Sequence, residues 1–263
     1  MSRSRSQAQS EPEPEPESVA VARQLTAQQR LAGAVGPLIR ADGGHVAIAV
    51  DDLTSGSAAA STGTSGFVTA SIVKVDILAA LLYQRQKSGQ SLTTEDEDLA
   101  TRMIENSDND SASALYTDIG GPAGLDQANQ AFGLTHTTAG TDGEWGLTST
   151  TVDDQLRLLR QITVTPSVLT AAAQDYIQHL MGDVESDQQW GVPAAASPGP
   201  AYLVKNGWLP NPTLWSINSI GEIEDSGHRM LVTVLSDDNS SEASGISTIQ
   251  AVAQRAVSAV ADG

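Results

Sequence analysis

The 263-residue chain contains no cysteine. That excludes disulfides, iron–sulfur clusters and thiolate zinc sites together. It leaves the compartment open, since a secreted protein can also do without cysteine. Aromatic residues are scarce at 4 %, so the core must be built from Ala, Val, Leu and Ile. Positive charge is scarce too: 14 Lys and Arg stand against 32 Asp and Glu, a formal net charge of −18. No basic run occurs. A nucleic-acid or anionic-membrane surface needs clustered positive charge, and both are disfavoured. No apolar run reaches the length of a membrane span. None follows Arg3 and Arg5 as the apolar centre of a signal peptide would. No phosphate-cradling glycine loop appears. Lysine is the rarest cation, with only Lys74, Lys87 and Lys205.

What is present reads as one globular domain behind an arm. Residues 1–18 alternate Glu with Pro from Glu11 to Glu17. They cannot bury enough apolar surface to order themselves, so a disordered, extended arm is expected. Residues 19–263 form the domain. Helical spacing runs over 19–38, with apolar Val21, Leu25, Leu31, Ala34 and Leu38. A strand is expected at 45–50, with 57–61 as its hairpin partner. Helices are expected at 71–87, 94–105, from Asp108 to the Gly120-Gly121-Pro122 break, and at 123–132, 151–162 and 167–181. Three strands follow at 201–206, 214–223 and 228–236, then a helix at 244–261. Short links between the late strands favour antiparallel pairing. The expected class is α+β: one antiparallel sheet flanked by N- and C-terminal helices, with an all-helical subdomain over about 71–183.

Three short motifs carry chemistry. In Ser71-Ile72-Val73-Lys74 the serine and lysine are three apart, on one face of a helix. A desolvated lysine loses affinity for its proton and can act as a base toward a hydroxyl. The plain alternative is a helix-start serine and a surface lysine, but the apolar neighbours Val68, Ile72, Val73, Val75 and Ile77 point to burial. Ser107-Asp108-Asn109, taken alone, reads as a helix N-cap. Lys205-Asn206-Gly207 ends an apolar strand. A lysine there is commonly a solvated edge residue, yet Gly207 also permits close approach of another backbone. The four histidines, His45, His136, His179 and His228, show no paired ligand spacing, and no metal or cofactor is expected.

In this chain order the three motifs resemble the signature of the active-site-serine β-lactamases and penicillin-binding proteins, in their class A-like form. The segment from Asn106 to Ala112, followed by Ile119-Gly120-Gly121-Pro122, extends the resemblance, which covers about residues 25–261. It implies Ser71 as the nucleophile and Lys74 as its base. Ser107 would relay the proton to the leaving nitrogen, and Asn109 would hold a substrate amide. Lys205, with Asn206 and Gly207, would bind a substrate carboxylate. The backbone N–H groups of Ser71 and Trp208 would form the oxyanion hole. It further implies a small-molecule or peptide substrate bearing a carboxylate, a monomeric chain, no nucleic-acid partner, and a secreted or cell-surface location.

The departures bear on turnover. Asn206 replaces the usual small hydroxyl, and Trp208 replaces a small residue. Only 36 residues separate Ser71 from Ser107 (107 − 71), so part of the helical subdomain is abbreviated. The loop glutamate pattern R-x-E-x-x-L-N is absent. Glu144, 37 residues after Ser107 (144 − 107), is the candidate deacylating base, or else a solvated loop carboxylate. Three functions follow: a serine acyl hydrolase, a penicillin-binding-type peptidase or transferase that deacylates slowly, or a binding protein that keeps the cleft without turnover.

Overall fold

A computed structural model describes residues 16–41, 45–61 and 66–261, with the backbone alone for 16–25. Most of the Glu/Pro arm lies outside the described residues. Helix α1, Pro16–Ala41, begins with a proline, whose fixed φ suits a first turn. It presents Ala27, Leu31 and Val35, one turn apart, as a buried stripe. Strands β1 (Val46–Asp52) and β2 (Ser57–Ala60) form the expected hairpin. Helix α2, Val73–Ser88, is buried on every side from Val73 to Leu82, Lys74 and Asp76 included, and is the axis of the helical layer. It stops at Gly89, whose left-handed φ of 67° closes the last turn.

Around α2 lie α3 (Thr94–Glu105), α4 (Asn109–Asp118), α5 (Gly121–Phe132), α6 (Val152–Thr163) and α7 (Ala171–Gly182). α3 starts with a reciprocal capping box between Thr93 and Asp96. Two short strands that the sequence pattern does not reveal, β3 (Phe67–Val68) and β4 (Ser149–Thr150), pair antiparallel. They are too short to show alternation. Strands β5 (Leu203–Asn211), β6 (Leu214–Asp225) and β7 (His228–Asn239) complete a five-stranded antiparallel sheet of order β2-β1-β7-β6-β5. Helix α8, Glu242–Ala261, ends the fold.

The pleat divides the core in two. Val46, Ile48, Val50, Val232, Val234 and Ile217 pack with α1 and α8. Ala47, Ala49, Ile220, Leu231 and Leu235 face the other way and join the cluster around α2. The chain is therefore α+β, with terminal helices on one face of the sheet and the helical layer on the other. No helix among the described residues is long and apolar enough to cross a membrane.

Candidate active site

Ser71 lies in a tight 3-10 turn, Ala70–Ile72, that leads into α2. The regular helix starts at Val73, two residues later than the apolar pattern predicts, and Lys74 is one residue inside it. Ala70 takes φ 48°, a left-handed conformation that costs a non-glycine residue about 1–3 kcal/mol and must be held by its surroundings. Those supports are visible. The Asn218 amide donates to the carbonyls of Val68 and Thr69, at 2.8 and 3.0 Å. Thr69 N–H donates to the Thr148 carbonyl at 2.9 Å. From β5, Gly207 presses on the turn itself: a Cβ there would stand 2.7 Å from Ser71 N and Thr69 O and 2.9 Å from Ile72 N. Only glycine fits.

Lys74 is fully buried, as its apolar neighbours implied. Its Nζ donates to the Ser107 carbonyl at 2.6 Å, to Ser107 Oγ at 3.0 Å and to Asn109 Oδ1 at 2.8 Å. Burial pulls its proton affinity down to about 8, against the opposing pull of Asp108. Among the described residues no hydrogen bond joins Lys74 to Ser71. Lys205 is likewise fully buried, not a solvated edge residue. It donates to Ser107 Oγ at 3.1 Å and to the Asn206 carbonyl at 3.3 Å. Burial, then the charge of Lys74, holds it well below the ordinary lysine range. Ser107 adopts φ 55°. Asp108 caps α4, accepting from Ser111 N–H at 2.7 Å. Asp108 therefore caps α4 as the tripeptide alone predicts, while Ser107 and Asn109 meet Lys74.

Ser71 and Asn109, with Ser113, Glu144, Trp145 and Trp208 among others, line a cleft of about 370 Å³. Glu144 is exposed on the rim, and among the described residues nothing hydrogen-bonds its carboxylate. Trp208 touches the cleft while its ring packs edge-on against Trp190, centroids 5.9 Å apart. Asn206 is not brought to the cleft. The pleat turns it to the opposite face from Lys205, where its amide donates to the carbonyls of Gln188 and Trp190 at 2.7 and 2.9 Å. Ser113 and Trp145 are among the cleft residues that escaped the sequence reading. Trp145 Nε1 donates to Ser113 Oγ at 3.0 Å, and Lys74 Nζ lies over the indole, 5.0 Å from the ring centre. A tryptophan in an aromatic-poor chain, inside the loop that departs from the expected pattern, was the available signal.

A serine on a strained turn, two buried lysines and a bridging hydroxyl thus lie close together on an α+β fold. Residues 83–260 match Beta-lactamase2, the beta-lactamase enzyme family. The chain belongs to that family. The match begins beyond Ser71 and Lys74. LppW of Mycobacterium tuberculosis (strain ATCC 25618 / H37Rv), whose name carries a provisional lipoprotein assignment, is 25 % identical over 173 residues. The match covers 64 % of this chain and 55 % of LppW, so the chain spans about half the length of the curated relatives it matches. Among solved structures, a class A β-lactamase from Bacteroides cellulosilyticus DSM 14838 is similar in fold. Its TM-score is 0.75 at 15 % identity, over 90 % of this chain and 99 % of that one. A mutant of PBP-A, in an acyl-enzyme complex with penicillin G, gives 0.74 at 18 % identity, over 91 % and 97 %.

Proposed function

We propose that the protein is a serine acyl hydrolase that forms an acyl-enzyme on Ser71 with a carboxylate-bearing amide or β-lactam and releases it slowly. The observation that carries this reading is the convergence of Lys74 and Lys205, both fully buried, on Ser107 Oγ beside the Ser71 turn. Lys74 in its neutral form takes the Ser71 proton as Ser71 Oγ bonds to the substrate carbonyl carbon. As the C–N bond breaks, Ser107 passes a proton to the leaving nitrogen and is reprotonated from Lys74. Asn109 orients the substrate amide, and Lys205 draws the carboxylate. The N–H groups of Ser71 and Trp208 stabilise the oxyanion, each such donor being worth ~3 kcal/mol.

Slow release follows from what lines the cleft. The carboxylate nearest the role of a hydrolytic base, Glu144, is exposed and unanchored, and a positioned base is worth ~10²–10⁴-fold. The fold shared with PBP-A, seen as an acyl-enzyme with penicillin G, supports the same reading. The lipoprotein name of LppW supports a cell-surface or secreted location. Intact-mass measurement after incubation with a penicillin, beside turnover of a chromogenic cephalosporin, tests the proposal. A persistent adduct on Ser71 is expected. Rapid turnover would leave the hydrolase and remove the slow step. No adduct, with Ser71→Ala behaving as the wild type, would overturn the enzymatic reading.

A further inference from the structure

A buried ammonium ordinarily pairs with a carboxylate, because an unpaired charge away from water is costly. Among the described residues Lys74 has no such partner. Its three N–H donors meet two neutral carbonyl oxygens and a hydroxyl, and the remaining face of the head group lies over the Trp145 indole. The face of an aromatic ring carries partial negative charge and attracts a cation, most strongly for tryptophan. The ring is itself fixed, since its N–H donates to Ser113 Oγ on α4 at 3.0 Å.

We propose that Trp145 is a positioning residue for Lys74: its indole face takes the place of an anionic partner, holding the head group and favouring its charged form without supplying a base. The proposal deepens the acyl-enzyme reading and rests on it for its catalytic meaning. An indole cannot accept a proton from water, so the contact steadies Lys74 without offering a route to hydrolysis. The other charged groups around Lys74 are few. Asp108, ahead of α4, pulls its proton affinity up. Lys205 on β5 shares Ser107 Oγ with it. Arg102 on α3 acts on Asp108. Glu144 stands exposed on the cleft rim. Asp76 is two residues along α2 and faces Asn129 on α5. None of these is removed when Trp145 is replaced.

The scarcity of lysine makes the test direct. With only three lysines, protein labelled with ¹³C at lysine Cε gives three side-chain signals, assigned with Lys87→Arg and Lys205→Arg. The Lys74 signal is titrated in wild type, Trp145→Phe, Trp145→Leu and Ser113→Ala. Phe and Leu fill similar space, and only Phe keeps a ring. The Lys74 midpoint in Trp145→Leu should lie about half a pH unit or more below that in Trp145→Phe. Ser113→Ala, which frees the indole with little loss of volume, should lie below wild type and serves if the larger changes unfold the protein. A Leu midpoint equal to or above the Phe midpoint overturns the proposal, as does an unmoved midpoint in Ser113→Ala if neither Trp145 variant folds. The pH profile of Ser71 acylation by a penicillin should move in the same direction. If wild type takes no adduct at any pH, the acyl-enzyme reading fails, and the lysine titration still decides the role of Trp145.

Discussion

Lys74 and Lys205 donate to the same atom, Ser107 Oγ, at 3.0 and 3.1 Å. A hydroxyl oxygen has two lone pairs, and here a lysine fills each. The Ser107 hydrogen is then left free to donate, as the proposed relay requires. The same arrangement puts two buried lysine head groups side by side in a chain of net charge −18, with no carboxylate in ion-pair contact with either among the described residues. A substrate carboxylate would supply the missing counter-charge.

Ser107→Ala removes the acceptor of both lysines and the relay at once. Acylation should fall by at least about 10²-fold, and stability by about 1–3 kcal/mol as two buried donors lose a partner. Acylation rate and denaturant midpoint measure the two effects separately. Wild-type acylation in this variant would sink the relay.

The pH profile follows from Lys74. Burial lowers its proton affinity to about 8, and as the proposed base it would accept the Ser71 proton only when neutral. Acylation should therefore rise with pH, by about tenfold per unit below the midpoint, and level off above about 8. Lys74→Arg, charged throughout this range, should lose the rise and at least about 10²-fold in rate. A flat wild-type profile between pH 6 and 9 would exclude Lys74 as the base.

Gly207→Ala tests the contact between β5 and the nucleophile turn. The new Cβ would meet backbone atoms at 2.7–2.9 Å, and backbone cannot swing aside. The turn and strand must separate, at a cost of about 1–3 kcal/mol. A displaced Ser71 should acylate about 10²-fold more slowly. Thermal melting and intact-mass kinetics report the two losses, and an unchanged rate would show that β5 does not position the nucleophile.

Much of this was legible in the sequence because the signals are local. Helix and strand periods located the main elements from the 19–38 helix to the 244–261 helix within a few residues. Of only three lysines, Lys74 and Lys205 stand in recognisable motifs, and that singles them out. What was not legible depends on contacts distant in sequence. The pleat of β5 decides that Lys205 and Asn206 face opposite ways, and no motif spacing carries that information. The indole of Trp145 reaches Lys74 across 71 positions (145 − 74). β3 and β4, two residues each, have no period to detect.

Asn206 separates a structural from a substrate-binding role. Its amide donates to two backbone carbonyls on the side away from Lys205. Asn206→Ala leaves both without that partner and should cost about 1–3 kcal/mol of stability. Acylation per folded molecule should change less than threefold. A loss of apparent substrate affinity without a loss of stability would instead place the side chain in substrate binding.

Asp76 gives the last prediction. It is fully buried in α2, and its partner is Asn129: with the amide nitrogen turned toward the carboxylate, the distances are 2.8 and 3.1 Å. Burial pushes the carboxyl up from 3.8 to about 8, with Asp126 and Asp154 adding to the rise and Asn129 opposing it. Between those two values the folded state keeps a proton that the unfolded chain releases. Stability must then fall as pH rises through that window, with the loss complete above about 8. Asp76→Asn cannot ionise, and paired amides can hydrogen-bond each other. The variant should be more stable than wild type at pH 8.5, by about 2 kcal/mol or more, and nearly equal to it at pH 4. Chemical denaturation at the two pH values measures this. An identical pH slope in the two proteins would mean that Asp76 is already ionised in the fold.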